Sequence, residues 1–194
     1  ESRRMLGRRP DEMALLFVGQ HILEKGVEII LRALPLIDSD VPYRMDFIGT
    51  GYAQERMKHL AVELGVGDRV TFHGVISDRE ALRRHYAAAD LFLFPSFYDN
   101  APLVVREAAA MLTPSVLLEG STAAELVSDG DNGFLTARTA ADYARVISRL
   151  AHDRSLIVDA GIRARQTLCR PWRDVLDEVM GLYDNIIERY GHKG

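Results

Sequence analysis

Short, nearly continuous apolar runs alternate along this chain with longer stretches in which apolar residues recur every three or four positions. The runs ALLFVG (14–19), YRMDFIG (43–49), RVTFHG (69–74), DLFLFP (90–95) and SVLLEG (115–120) predict β-strands, and GFL (133–135) a short sixth. Several end in glycine or proline, and the first, second and fourth are apolar on both faces, as strands covered on both sides are. Between them KGVEIILRALPLI, YAQERMKHLAVEL, DREALRRHYAAA, PLVVREAAAM and TAAELV carry the helical period, and Pro35 should end or kink the first. Beyond residue 137 the pattern is helical only, over roughly 138–152, 156–168 and 172–190.

Regular alternation of strand and helix predicts an α/β fold, a doubly wound parallel sheet of about six strands joined by right-handed crossovers, followed by C-terminal helices. Such sheets bind ligands beyond the carboxyl ends of their strands. Function should therefore lie in GQHILEKG, GTGYAQ, HGVISD, PSFYDNAP and EGSTAAE, the loops that follow the first five strands.

Composition narrows the function classes. The 194 residues suit one domain, with or without an appendage, and 47% hydrophobic with 27% charged content is ordinary for a soluble protein. A net charge of −4 without a basic stripe gives no reason to expect nucleic acid. Four arginines crowd ESRRMLGRRP, read either as a solvated linker end or as a contact with a membrane surface or an acidic partner. No apolar run matches a membrane span, no signal peptide is visible, and the single Cys169 excludes an internal disulfide framework and suits a reducing cytoplasm. The chain starts at Glu1 rather than methionine, as a piece of a longer protein would.

Individual motifs carry different weight. In GQHILEKG, Gly19 turns the chain off the strand, and Lys25 and Gly26 stand at a helix mouth where an anion could bind, although the spacing is not that of a P-loop. GTG (49–51) is too short for a dinucleotide fingerprint and reads as a tight turn. Asp129 and Asp131 in DGDNG have a D-x-D spacing, but flanking glycines favour a turn, so no metal is assigned. The six histidines lack ligand spacing, and only His73 falls at a strand end.

FYDNAPLVVREAAA (97–110) is more informative. A helix starting at Pro102 would be apolar nearly all round, and a buried Glu107 would then need a partner. Asp99 lies in the loop before it, and the amides of Asn100, Ala101 and Leu103 lie near the helix start, able to donate to an oxyanion or a sugar hydroxyl. A carboxylate accepts two hydrogen bonds side by side, which fits a vicinal diol such as that of ribose. The alternative is structural, with Glu107 paired to an arginine and Asp99 shaping the turn.

With seven residues between its two acids, YDNAPLVVREAAA resembles the E-x7-E motif of retaining GT-B glycosyltransferases of glycosyltransferase family 4. FVGQHILEKGVEIILRAL is similar to that family's strand, phosphate loop and helix, and FIGTGYAQERMKHLAVELGVGDRVTFHGVISDREALRRHYAAADLFLFPS to its next units. EGSTAAELVSDGDNGFL resembles the segment after the motif, and PWRDVLDEVMGLYDNII the terminal helix that crosses back to a partner domain. The resemblance implies the Rossmann-like C-terminal half of a GT-B fold, with a linker end at 1–12, a nucleotide-sugar domain at 13–170 and a crossing helix at 171–194.

It further implies transfer from a UDP-, GDP- or ADP-sugar with retention of configuration and without metal or other cofactor. Asp99 would meet the sugar, Lys25 the diphosphate and Glu107 the ribose, with the first two in catalytic roles. Gly19, Gln20, His73, Val75, Ile76, Asn100, Ala101, Leu103 and Val104 complete the donor site, the segment from His73 to Ser77 holding the base through its backbone. The acceptor, a glycan, lipid or small molecule, would bind the absent N-terminal domain, leaving the isolated half inactive. A cytoplasmic location, peripheral to the inner face of a membrane for a lipid-linked acceptor, agrees with this. Departures are Asp99 where glutamate is usual, Gln20 where arginine is common, Leu112 for glycine, and Ser121 and Thr122 for Gly-Gly. A degenerate nucleotide-sugar-binding or scaffolding domain, and a GT-B-like nucleotide-sugar epimerase, are the competing readings.

Overall fold

The computed structural model describes residues 1–99, 102–169 and 172–190. Its six strands are β1 (Met13–Val18), β2 (Tyr43–Ile48), β3 (Val70–Gly74), β4 (Leu91–Phe94), β5 (Ser115–Leu118) and β6 (Phe134–Thr136). They form one sheet in the order β3-β2-β1-β4-β5-β6, and every neighbouring pair is parallel. Each expected strand is present, its ends shifted by a residue or two.

Burial explains the order. β1, β4 and β5 are buried at every position, which is why their sequences read as unbroken apolar runs. β3 lies at an edge, and its residues alternate between partly buried and exposed. The helices are α1 (Ser2–Met5), α2 (Val27–Ala33), α3 (Gln54–Glu63), α4 (Arg79–Ala88), α5 (Leu103–Ala110), α6 (Ala140–His152), α7 (Arg154–Leu168) and α8 (Trp172–Tyr190). α2 packs on α6 and α5 packs on α7, forming layers either side of the sheet. Strand order reverses between β1 and β4, so the loops after these two strands open the crevice where such folds bind ligands.

Two helix expectations change in detail. α2 stops at Ala33 and passes into a 3-10 turn, Leu34–Leu36, because Pro35 cannot donate to the helix ladder. TAAELV is a 3-10 turn, Thr122–Leu126, capped by the Ser121 hydroxyl, which accepts from the Ala124 amide.

α5 corrects a larger expectation. It is not buried all round: Val105, Ala108 and Ala109 face inward, whereas Leu103, Arg106 and Glu107 are exposed. The helix is covered from one side only, so an apolar residue such as Leu103, 70% exposed, lies on the open side beside Glu107.

The end of α5 carries a strained residue. Leu112 has φ 64°, the only positive φ of a non-glycine residue among those described. The Leu112 and Thr113 amides donate to the carbonyls of Ala109 and Ala108, a Schellman ending whose left-handed position glycine normally fills. Leu112→Gly should therefore stabilise the chain by about 1 kcal/mol, raising Tm by about 2–4 °C in thermal denaturation.

The arginine-rich N-terminus is tied to the sheet rather than freely solvated. Arg3 pairs with Asp90 at 2.6 Å, and Arg8 pairs with Asp46. Arg3 also donates to the Glu12 carbonyl at 2.7 Å.

Candidate functional site

The crevice between β1 and β4 brings Lys25 and Asp99 into an ion pair, although they lie 74 residues apart in sequence. Lys25 ends a 3-10 turn, Leu23–Lys25, and its ammonium stands 5.8 Å from the centre of the Phe94 ring. Behind it, a side chain at Gly26 would place its Cβ 2.3 Å from the Pro95 carbonyl oxygen, so these two loops touch through backbone.

Thr122 fixes Asp99 from the other side. Its hydroxyl accepts from the Asp99 amide and donates to the Asp99 carbonyl, both at 2.9 Å. The single hydroxyl proton is thus committed to Asp99, and Thr122 holds an acid in place. Ser121 is occupied as the cap of its 3-10 turn.

The loop after β1 has one exposed and one buried polar residue. Gln20 faces solvent and carries no charge. His21 is 0% exposed, among Phe17, Phe47 and Phe72, with Nδ1 3.3 Å from Gln54 Oε1. Burial, only partly opposed by the Gln54 contact, lowers its pKa, so His21 adds no cation beside the uncharged Gln20.

A cavity of about 410 Å³ lies over the ends of β1 and β2, lined by Gly19, Gln20, Thr50, Val75, Ile76 and Leu82, among others. Val75 is 69% exposed there. A second cavity, about 490 Å³, is lined by Glu107, Tyr86, Leu82, Arg79, Arg83 and Met111. Leu82 forms a wall of both, which places the segment after β3 beside the acid of α5. Leu103 and Val104 belong to the first turn of α5 on the same side as Glu107, while Asn100 and Ala101 lie outside the described residues.

The His73 ring turns toward β2. Its Nε2 lies 2.9 Å from Asp46 Oδ1, and its ring meets that of His85 at 4.7 Å between centres. His85 Nδ1 is 3.8 Å from Asp46 Oδ2, beyond hydrogen-bond range. Burial alone would raise the Asp46 carboxyl, but His73, His85 and Arg8 outweigh it and hold it far below the usual carboxylate range.

Metal-ligand types meet here too. Ligand atoms of Asp46, His73 and His85 lie within 4.8 Å of one another, as do those of the exposed Asp38, Asp40 and His152. At the first cluster the Arg8 guanidinium already neutralises the carboxylate, so the group works as a clamp on the N-terminal segment. The DGDNG run is a turn: Asp129 accepts from the Leu135 amide at 2.8 Å, and Asp131 pairs with Arg163 at 3.0 Å.

Sequence reasoning missed Tyr86, Thr122 as the holder of Asp99, and the Asp46 clamp. An acid inside the apolar run YRMDFIG was the available signal for the last. Tyr86 had none, since a tyrosine on an amphipathic helix usually belongs to the core.

The sequence and the fold also match known proteins. The model of the family described as "Glycosyl transferases group 1" matches residues 1–167. The chain belongs to this glycosyltransferase family. It is 33% identical over 193 residues to the D-inositol 3-phosphate glycosyltransferase of Geodermatophilus obscurus, covering 94% of this chain and 42% of that protein. Sucrose-phosphate synthase of Thermosynechococcus elongatus has a similar structure, with TM-score 0.84 and 27% identity over 97% of this chain and 49% of its own. HepE of Anabaena, solved in complex with UDP, gives TM-score 0.75 and 25% identity over 86% of this chain and 46% of its own.

This glycosyltransferase chain therefore spans less than half the length of such relatives, and corresponds to the C-terminal half of the GT-B fold. Among the described residues no helix is long and apolar enough to cross a membrane.

Proposed function

We propose that this chain is the donor half of a retaining glycosyltransferase that moves a sugar from a nucleotide-diphosphate sugar to an acceptor. The observation that carries the reading is the meeting of Lys25 and Asp99 across the crevice, with Glu107 on α5, the helix that follows Asp99. Lys25 would leave Asp99 for the diphosphate, freeing that carboxylate to accept from hydroxyls of the sugar. Glu107 would accept from the ribose, and the backbone of residues 73–77 would hold the base. As the donor bond breaks, negative charge gathers on the departing diphosphate. Lys25 and the amides at the start of α5 would stabilise that charge without a metal, the kind of fixed electrostatic help that dominates many catalytic sites.

An N-terminal domain, outside this chain, would bind the acceptor and determine whether it is a glycan, a lipid or a small molecule. α8 supports such a partner: Leu176, Met180, Tyr183, Ile187 and Tyr190 recur at helical spacing and are each 57–68% exposed. The linker would end near residue 12 and the crossing helix would begin near 171.

Thermal denaturation with UDP, GDP and ADP tests this reading, since a ligand that binds only the folded chain raises its stability by mass action. One of the three should raise Tm, at 100 times Kd by the equivalent of about 2.7 kcal/mol, and Glu107→Ala should remove most of the shift. No shift with any of them contradicts the donor site. A second reading, a binding domain without turnover, is favoured by the uncharged Gln20. Nucleotide binding with no transfer by the full-length protein on a broad acceptor panel would support it.

A further inference from the structure

We propose that Tyr86 is a positioning residue that aims Glu107 at the ribose, so that this hydrogen bond determines the site's preference for ribonucleotides over deoxyribonucleotides. The proposal rests on the donor-site reading and adds to it a second residue and a selectivity.

Glu107 is exposed on the open side of α5. A glutamate in that setting samples several rotamers, and fixing one when a ligand arrives costs binding energy. Here the Tyr86 hydroxyl donates to Glu107 Oε2 at 2.9 Å, joining α4 to α5 across the cavity that both residues line. No other hydrogen bond to the Glu107 carboxylate is found among the described residues.

Tyr86 is itself immobile. It is 2% exposed, its ring lies 5.7 Å from that of Phe92, and its carbonyl accepts from the Thr113 hydroxyl at 2.7 Å. Burial, and next the Glu107 carboxylate, push the phenol far above its ordinary pKa, so it keeps its proton and acts as the donor. A fixed donor on Oε2 fixes the plane of the carboxylate. Oε1 is then free for a ligand, and Oε2 retains a lone pair for a second hydroxyl. A buried ring therefore converts a mobile surface acid into a preorganised acceptor for a cis-diol.

The sugar hydroxyls of the nucleotide provide the test. Binding of UDP, GDP and ADP to this chain is measured beside their 2′-deoxy counterparts by titration calorimetry. The unaltered chain should prefer its ribonucleotide by about tenfold or more, a typical loss when a hydrogen bond to a charged group is removed. Tyr86→Phe, which deletes one oxygen and leaves the ring on Phe92, should reduce that preference to about twofold. The deoxynucleotide, which keeps only its 3′-hydroxyl for Glu107, should lose less affinity than the ribonucleotide. A purely structural role would weaken both nucleotides equally.

Glu107→Gln reads the same bond from the other end and places no demand on the core. The neutral amide binds the ribose hydroxyls more weakly than the carboxylate, although they can still accept from its NH2, so the preference should shrink. Adding Tyr86→Phe to Glu107→Gln should lower it by less than Tyr86→Phe does in the unaltered chain, because both substitutions weaken one interaction. Equal losses for both nucleotides in Tyr86→Phe overturn the proposal, as does a preference left undiminished in Glu107→Gln. Binding without any ribose preference in the unaltered chain overturns it too, but leaves the donor site standing. Absence of all nucleotide binding overturns both.

Discussion

Gly49→Ala should cost this chain about 4 kcal/mol or more in urea denaturation, placing it among the most damaging single-methyl additions. An added Cβ would lie 1.9 Å from the Gly19 carbonyl oxygen, and Gly49 also holds φ 125°, a conformation that side chains avoid. Neither loop can yield easily. The Gly49 amide donates to the Gly74 carbonyl at 2.8 Å, and the Gly19 amide to that of Ile48 at 3.0 Å. Two further bonds join the same loops, from the His21 amide to the Thr50 carbonyl at 3.0 Å and from the Ala53 amide to the His21 carbonyl at 2.9 Å. The glycine is therefore a place where two loops of the candidate donor site meet through their backbones. A loss below about 1 kcal/mol would show that the loops separate freely and that their contact does not shape the site.

Lys25→Met should weaken nucleotide-diphosphate binding by about 100-fold, measured by calorimetry with whichever of UDP, GDP and ADP binds the unaltered chain. Two effects add. The substitution removes the cation at the crevice, where Gln20 offers no replacement charge. It also leaves the Asp99 carboxylate, 20% exposed and now unpaired, facing an incoming polyanion. Lys25 thus neutralises Asp99 in the free protein and would neutralise phosphate in the complex. Gln20→Arg should act in the opposite direction, strengthening binding and moderating the loss in Lys25→Met. A change within about threefold for Lys25→Met would remove Lys25 from the proposed diphosphate contact.

Much of the fold was legible because each strand is short, apolar and closed by glycine or proline. Runs such as DLFLFP are buried on both faces, and that burial wrote itself into the sequence as unbroken hydrophobicity. The sequence pattern was misleading at α5. A helix rich in valine and alanine was expected to be buried all round, yet alanine contributes little to packing area and Leu103 lies on an open surface. Of the candidate site, Lys25, Asp99 and Glu107 could be picked out because each is an ionisable group at a loop or helix start above the strand ends.

What sequence could not supply were the contacts between distant elements. Thr122, noted in the sequence only as a replacement for glycine, encloses Asp99, 23 residues away. His73 was expected at the base-binding segment, and its side chain turns to Asp46 because β2 and β3 are neighbours in the sheet. The arginines of the first ten residues illustrate the same limit. Their composition suggested a solvated or partner-seeking segment, but Arg3 and Arg8 meet acids that lie 87 and 38 residues further along.

The most direct measurement of the central claim is a backbone amide NMR titration of this chain with UDP, GDP and ADP in turn. The account predicts that one of them shifts a contiguous surface comprising the amides of residues 19–25, 73–77 and 103–107. Shifts concentrated instead on the cavity at the opposite end of the strands, lined by Arg8, Arg9, Tyr43, Arg44 and Arg69, would contradict it. So would the absence of any shift with all three nucleotides.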